Sequence, residues 1–417
     1  MNARLVGTCG VLGIIGSAVL LGGCASLIAP QIIAPQPGGL QGAYEKSLRG
    51  QFVLANIAPY ISARPRIAVG PPPATLAVEV IPPGHYSLRL GAPQRPGCTT
   101  IYLTGPAENQ LFASLDRECL AQHHLTVSAL KVDPPSKPLV CTAPPPSSPI
   151  LQRYRASIVR LRSTEPPRGT VILLPGYGIG KLSMLPWALM LGEAGYQSIL
   201  VDPRAQGQSS GQYVTYGALE SKDVAQLVAA LRKDGLIRGR LGLLGDSMGA
   251  ATALLAAAHI EPLGAVVAIS PYERATAAIP RYARLAHWYA RFIPPMSWRA
   301  AEHKAGQMAG VSLADADPIE AAPHIRAPVL YLQGDRDRVV SPAQARQLAE
   351  RTPDARLEMF PGLGHLEMSE NFAGLAQPVL NWFNRYVAED HARAQPPRVG
   401  LPQGMHNVLE MSGCVEY

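Results

Sequence analysis

Charge is scarce in this 417-residue chain: Asp, Glu, Lys and Arg make up 16% of it. The formal charge of +7 comes from scattered residues, with no dense Lys/Arg block. A protein that tracks a phosphate backbone needs such a block, so no nucleic-acid partner is expected. Zinc-ligand spacings are missing too: there is no Cys-x-x-Cys and no His-Glu-x-x-His. No internal repeat is evident. The one strongly apolar stretch, at the N-terminus, is short and glycine-rich, which argues against a stable membrane span. What is present is a 47% apolar share. That suffices for a main domain of about 250 residues plus something smaller. The 39 Gly and 40 Pro, with so little charge, suit a turn-rich secreted protein.

The N-terminus reads "MNARLVGTCGVLGIIGSAVLLGGCASLIAPQ". Arg4 gives a short positive region, and residues 5–21 are apolar or small. This is the pattern of a secretory signal over 1–23. Leu-Gly-Gly-Cys at 21–24 resembles the lipobox of bacterial lipoproteins, which implies lipidation at Cys24. The expectation is export and a lipid anchor in the bacterial envelope, at the outer membrane if the cell is Gram-negative. Residue 25 is Ala rather than Asp. An oxidising compartment makes Cys98, Cys119, Cys141 and Cys414 disulfide candidates. Of their three pairings, Cys98–Cys119 with Cys141–Cys414 is favoured.

Residues 24–75 show little periodicity and read as a tether. Residues 76–132 hold alternating segments such as "TLAVEV" and "HYSLRL", expected as a small accessory region with strands. "DPPSKPLVCTAPPPSSP" at 133–149 is too rich in proline for helix or central strand and reads as a stiff linker. From 150 to 392, short β-branched runs alternate with helical stretches, and 393–417 is a tail. Strands are expected at 156–163, 169–176, 197–202, 241–245, 265–270, 328–334 and 355–360. Near-continuous apolar strands between helices imply an α/β fold: a mostly parallel sheet with helices on both faces. Sites in such sheets form at the carboxyl ends of the strands.

After "LGLLG" comes Asp246-Ser247-Met248-Gly249, opening an alanine-rich stretch. Gly-x-Ser-x-Gly between strand and helix lifts a serine onto a sharp turn, where flanking side chains would collide with neighbours. Such a serine needs a base. His365 in "FPGLGHLEM" follows the last expected strand. An acid is expected between the two, and "LYLQGDRDRVVSP" offers Asp335 and Asp337.

Together these segments resemble the α/β-hydrolase superfamily over about residues 150–390. The family's acid motif, Gly-x-x-Asp-x-x-Val, matches Gly334, Asp337 and Val340, which implies Asp337 as the acid. Its oxyanion loop corresponds to Leu174-Pro175-Gly176-Tyr177-Gly178, with proline in place of the usual histidine. The resemblance thus implies an oxyanion hole from the N–H groups of Tyr177 and Met248. "DPRAQGQSSG" at 202–211 is similar to a supporting loop of the family, with Ala205 where glycine is common and Gln206 where histidine is common. Residues 271–327 fall where the family places a helical cap. Within them Trp288, Tyr289, Phe292 and Trp298 are candidates either to line an acyl pocket or to pack the cap. Arg281, Arg284, Arg291 and Arg299 either face solvent or meet an anionic substrate or headgroup.

The implied chemistry is acyl transfer from a small-molecule substrate to water through Ser247, Asp337 and His365, with no metal or organic cofactor. An esterase of carboxylesterase or lipase type leads this reading. A serine peptidase, an acyltransferase and a non-catalytic scaffold lipoprotein stay open, as does the oligomeric state.

Overall fold

The computed structural model describes residues 17–35, 61–91, 155–162 and 166–389. Cys98, Cys119, Cys141 and Cys414, the proline-rich linker and the tail lie outside the described residues.

Six parallel strands build the body: β5 (Thr170–Leu174), β6 (Gln197–Asp202), β7 (Leu241–Asp246), β8 (Ala265–Ile269), β9 (Val329–Gly334) and β10 (Ala355–Phe360). All but β10 are buried along their whole length. That explains why these segments read as unbroken apolar runs rather than alternating ones. Their side chains still alternate between two cores. Val171 and Leu173 of β5 pack towards helices α2 (Leu185–Glu193) and α10 (Phe372–Tyr386). Ile172 and Leu174 pack towards α3 (Glu220–Lys233) and α4 (Met248–Ala257). All ten residues of α4 are buried, which only a helix of small and apolar residues tolerates between a sheet and other helices.

The eight-stranded sheet runs β1-β2-β6-β5-β7-β8-β9-β10. β1 (Arg66–Val69) and β2 (Ala74–Ile81) are the N-terminal strands, and both pair antiparallel. Thus the strand expected at "TLAVEV" is present, but it extends the main sheet, together with β1, which falls within the segment expected as a tether. The alternation in "TLAVEV" suggested a half-solvated strand, whereas β2 is covered because it lies between β1 and β6. "HYSLRL" forms β3 (Gly84–Gly91), paired antiparallel with β4 (Arg155–Arg162) in a separate two-stranded sheet. β4 was expected in the main sheet. The boundary expected at 133–149 is therefore bridged by strand pairing.

The tether expectation for 24–75 is also corrected. Helix α1 (Ser17–Ile32) continues past Cys24, and Ala25, Ile28, Ala29, Ile32 and Ile33 are buried. They pack among residues of the segment between β8 and β9. That segment holds α5 (Ala275–Ala286), a single turn over Trp288–Phe292, α6 (Pro295–Ala309) and α7 (Pro318–Ala321). The apolar residues of "ASLIAPQII" recur at helical spacing, which the proline at 30 obscured. Two further helices, α8 (Pro342–Arg351) and α9 (His365–Glu370), flank β10.

Candidate active site

β7 ends at Asp246 and α4 begins at Met248, so Ser247 alone makes the turn. Its φ is 51°, a left-handed value strained for a side chain with a Cβ. The backbone holds it there through Ser247 N–H donating to Ile269 O at 2.8 Å. The flanking glycines are there for space. A Cβ on Gly245 would fall 2.2 Å from Gly249 O, and one on Gly249 would fall 2.0 Å from Leu174 O. The second approach seats the elbow against the end of β5, where the Pro175–Gly178 loop begins. Other non-glycine residues with positive φ are Ala205, after β6, Ser270, after β8, and Tyr216. Two of these three, with Ser247, follow carboxyl ends of sheet strands, where strain accompanies function. The φ of 57° at Ala205 is one that glycine adopts without strain.

Ser247 Oγ lies 2.9 Å from His365 Nε2, and His365 Nδ1 lies 2.7 Å from Asp337 Oδ2. Asp337 is buried, and its other oxygen accepts from the N–H groups of Val339 and Val340, each at 2.8 Å. Gln333 Nε2 donates to Oδ2 at 3.1 Å. Four donors thus fix this carboxylate in place. Asp335, the alternative acid, instead accepts from Gly362 N–H at 2.7 Å and ties two loops together. Burial pushes the His365 imidazolium down, but the Asp337 hydrogen bond and charge, with Asp246 and Glu367, outweigh it. The net shift is upward from the ordinary 6.5.

Tyr177 follows β5 in the loop against the elbow, and Met248 opens α4, where a helix leaves its first N–H groups without intrahelical partners. Their N–H groups stand on the two chain segments that Gly249 brings together. The loop is fixed from behind. Gly178 N–H donates to Gln206 Oε1 at 2.7 Å. Lys181 donates to Asp202 twice, from its backbone N–H and from Nζ, both at 2.7 Å, and both side chains are buried. Arg204 grips Asp223, with Nη2 2.6 Å from Oδ1. Burial raises the Asp223 carboxyl to about 6 against the lowering effect of Arg204.

The four cap aromatics do not form one pocket: Trp288 meets Tyr289 at 6.0 Å and Phe292 at 6.2 Å, edge to face, whereas Trp298 lies in the core. Trp298 is 5% exposed and belongs to the core under the cap, so it packs the cap. Trp288 and Phe292 are 66% and 59% exposed, so neither lines an enclosed pocket. Tyr289 stacks on His287 at 5.3 Å. The aromatics beside the Pro175–Gly178 loop are others: Tyr177 stacks on Tyr216 at 5.4 Å and meets the edge of Tyr282 at 5.9 Å. Tyr216, in the segment "YVTYGALESKDV", was not among the residues expected at the site. Asp246 and Ser369 were missed as well. Asp246 is buried beside His365 and accepts from Ser369 Oγ at 3.0 Å. Burial raises its carboxyl, opposed by His365 and Ser369.

The strand order, the elbow and the loop positions settle the architecture. The fold is the α/β-hydrolase fold. Residues 171–377 match the Alpha/beta hydrolase family. The chain is similar to the uncharacterized protein YqkD of Bacillus subtilis (strain 168), at 36% identity over 91 residues. That alignment spans 22% of this chain and 30% of YqkD. Among solved structures it is similar to the Pyrococcus furiosus esterase Pf2001, at 25% identity and a TM-score of 0.44. The match covers 53% of this chain and 83% of that one. A thermophilic esterase from Thermogutta terrifontis matches at 19% identity and a TM-score of 0.38, over 53% and 91% of the two chains.

Proposed function

We propose that this α/β-hydrolase chain is a serine hydrolase that cleaves a carboxylic ester through an acyl-enzyme. The supporting observation is the relay from Ser247 Oγ through His365 to Asp337. Ser247 Oγ attacks the substrate carbonyl as its proton passes to His365 Nε2. Asp337 keeps the remaining N–H on Nδ1 and stabilises the imidazolium. The Tyr177 and Met248 N–H groups receive the oxyanion, where losing one donor costs about 3 kcal/mol of transition-state stabilisation. Collapse breaks the ester C–O bond, and Nε2–H protonates the departing alkoxide. Water then attacks the acyl-serine, giving a proton to Nε2, and collapse returns that proton to Ser247 Oγ as the acid leaves.

The chain is further proposed to be exported and held at the cell envelope by lipid on Cys24. A fluorophosphonate probe should label the folded protein, and Ser247→Ala should abolish labelling. p-Nitrophenyl esters of graded chain length should turn over faster than aminoacyl arylamides; the reverse order would favour a peptidase. Absence of labelling would remove the hydrolase reading. For the anchor, Cys24→Ser should move the protein out of the membrane fraction, and unchanged partitioning would refute lipidation.

A further inference from the structure

The cap turns an unusual surface to solvent. Tyr282, Leu285, Trp288, Phe292 and Met296 are 44%, 54%, 66%, 59% and 58% exposed. They come from α5, the turn after it and the first turn of α6. The Trp288 ring meets Phe292 edge-on at 6.2 Å and Tyr289 at 6.0 Å, so the centre of this exposed stretch is a contiguous aromatic ridge. A contiguous exposed apolar ridge marks an interaction surface. Its charge has one sign. From residue 275 to 299 the chain holds Arg281, Arg284, Arg291 and Arg299 and no Asp or Glu. Arg291 and Arg299 are exposed.

We infer that this ridge is a docking surface for an anionic phospholipid bilayer. Exposed rings and aliphatic chains enter the boundary between headgroups and acyl chains, while guanidinium groups meet lipid phosphates. A stretch whose exposed charges are Arg291 and Arg299, with no acid from 275 to 299, suits a surface of uniform negative charge. The N-terminal segment places the ridge for this task. Ala25, Ile28 and Ala29 directly follow Cys24 and are buried against the cap core, and Lys304 Nζ of α6 donates to Ser26 Oγ at 2.6 Å. A bilayer that holds Cys24 therefore holds the cap within reach. Among the described residues no helix is long and apolar enough to cross a membrane.

The ridge also adjoins the site. Tyr282 packs against Tyr177 of the oxyanion loop. Leu366, the residue after His365, is itself exposed. Docking would turn the mouth of the triad towards the bilayer and favour acyl esters of membrane lipids as substrates. This last step rests on the proposed hydrolase activity; the docking surface does not.

The test reads binding without turnover, so its failure leaves the hydrolase reading intact. The full chain carrying Cys24→Ala is mixed with vesicles of phosphatidylcholine alone or of phosphatidylcholine and phosphatidylglycerol in equal parts. Trp187, Trp298 and Trp382 are buried, so Trp288 reports on the ridge. Its emission should shift to shorter wavelength with the anionic vesicles, and Trp288→Phe should remove the shift. The double variant Trp288→Ser, Phe292→Ser should lower the vesicle partition coefficient about tenfold or more. Arg291→Glu with Arg299→Glu should weaken binding to anionic vesicles and leave binding to neutral ones alone. Because every variant keeps the same N-terminus, differences between them belong to the ridge. Equal partitioning of the wild-type and serine variants would overturn the proposal. So would Trp288 emission that is already short-wavelength in the free protein and unmoved by vesicles, since the ridge would then be covered by protein.

Discussion

Burial disfavours a charged His365, yet the hydrogen bond and charge of Asp337 reverse that effect, and Asp246 and Glu367 add to the reversal. The proposed base must be neutral to accept the Ser247 proton. Activity should therefore rise with pH through a value above the ordinary histidine 6.5. Asp337→Asn removes the largest raising influence. It should cut kcat by about 10⁴-fold and move the acid limb of the residual kcat/KM profile to lower pH. Asp246→Asn removes a weaker, more distant charge, so its limb should move the same way by less. A profile that stays in place in both variants would separate these carboxylates from the base. At this scale the sequence was informative where chemistry imposes a spacing. Asp337 follows from Gly334 and Val340, whereas Ser369 reaches Asp246 only through the fold.

At the scale of elements, the elbow joins a strand, a helix and the oxyanion loop through absent side chains. A methyl on Gly249 would strike Leu174 O and Pro175 O, both backbone atoms that no rotamer change can move. Gly249→Ala should destabilise the protein by about 1–3 kcal/mol or more and spoil probe labelling of Ser247, checked by thermal unfolding and labelling together. The cap supplies a second case. Glu302 of α6 is buried, its Oε1 has no partner among the described residues, and desolvation raises its pKa to about 7 despite Arg299. The folded pKa lies above the ordinary value of 4.5. The folded state is thus favoured below about 4.5, and that advantage is lost as pH rises through 7. Glu302→Gln should raise Tm at pH 8, by up to about 3 kcal/mol of stability, and change little at pH 4. Strands such as β5, β7 and β9 were legible because burial on both faces writes an unbroken apolar run. β4 was misplaced because its composition does not specify its partner. It pairs with β3, from which it is far removed in sequence.

At the scale of the whole molecule, the regions drawn from composition merge. A proline- and glycine-rich stretch reads as a tether only while its apolar residues lack a destination. α1 has one: Ile28, Ile32 and Ile33 are at most 5% exposed. Its end is also tied by backbone and side-chain hydrogen bonds, Tyr216 Oη donating to Ile32 O at 2.7 Å and Val214 N–H to Ile33 O at 3.2 Å. Tyr216 in turn stacks on Tyr177 beside the triad. The segment after Cys24 is thereby part of the support of the Pro175–Gly178 loop. A chain starting at residue 36 should lose roughly 5 kcal/mol, an upper figure from burying three isoleucines and two alanines. Its Tm should fall by about 10 °C or more, and limited proteolysis should begin within residues 275–309, where α1 is packed. Ile28→Ala with Ile32→Ala in the full chain should give a smaller change in the same direction. If the shortened chain melted at the same temperature and resisted cleavage, α1 would be an appendage with no part in holding the Tyr177 loop.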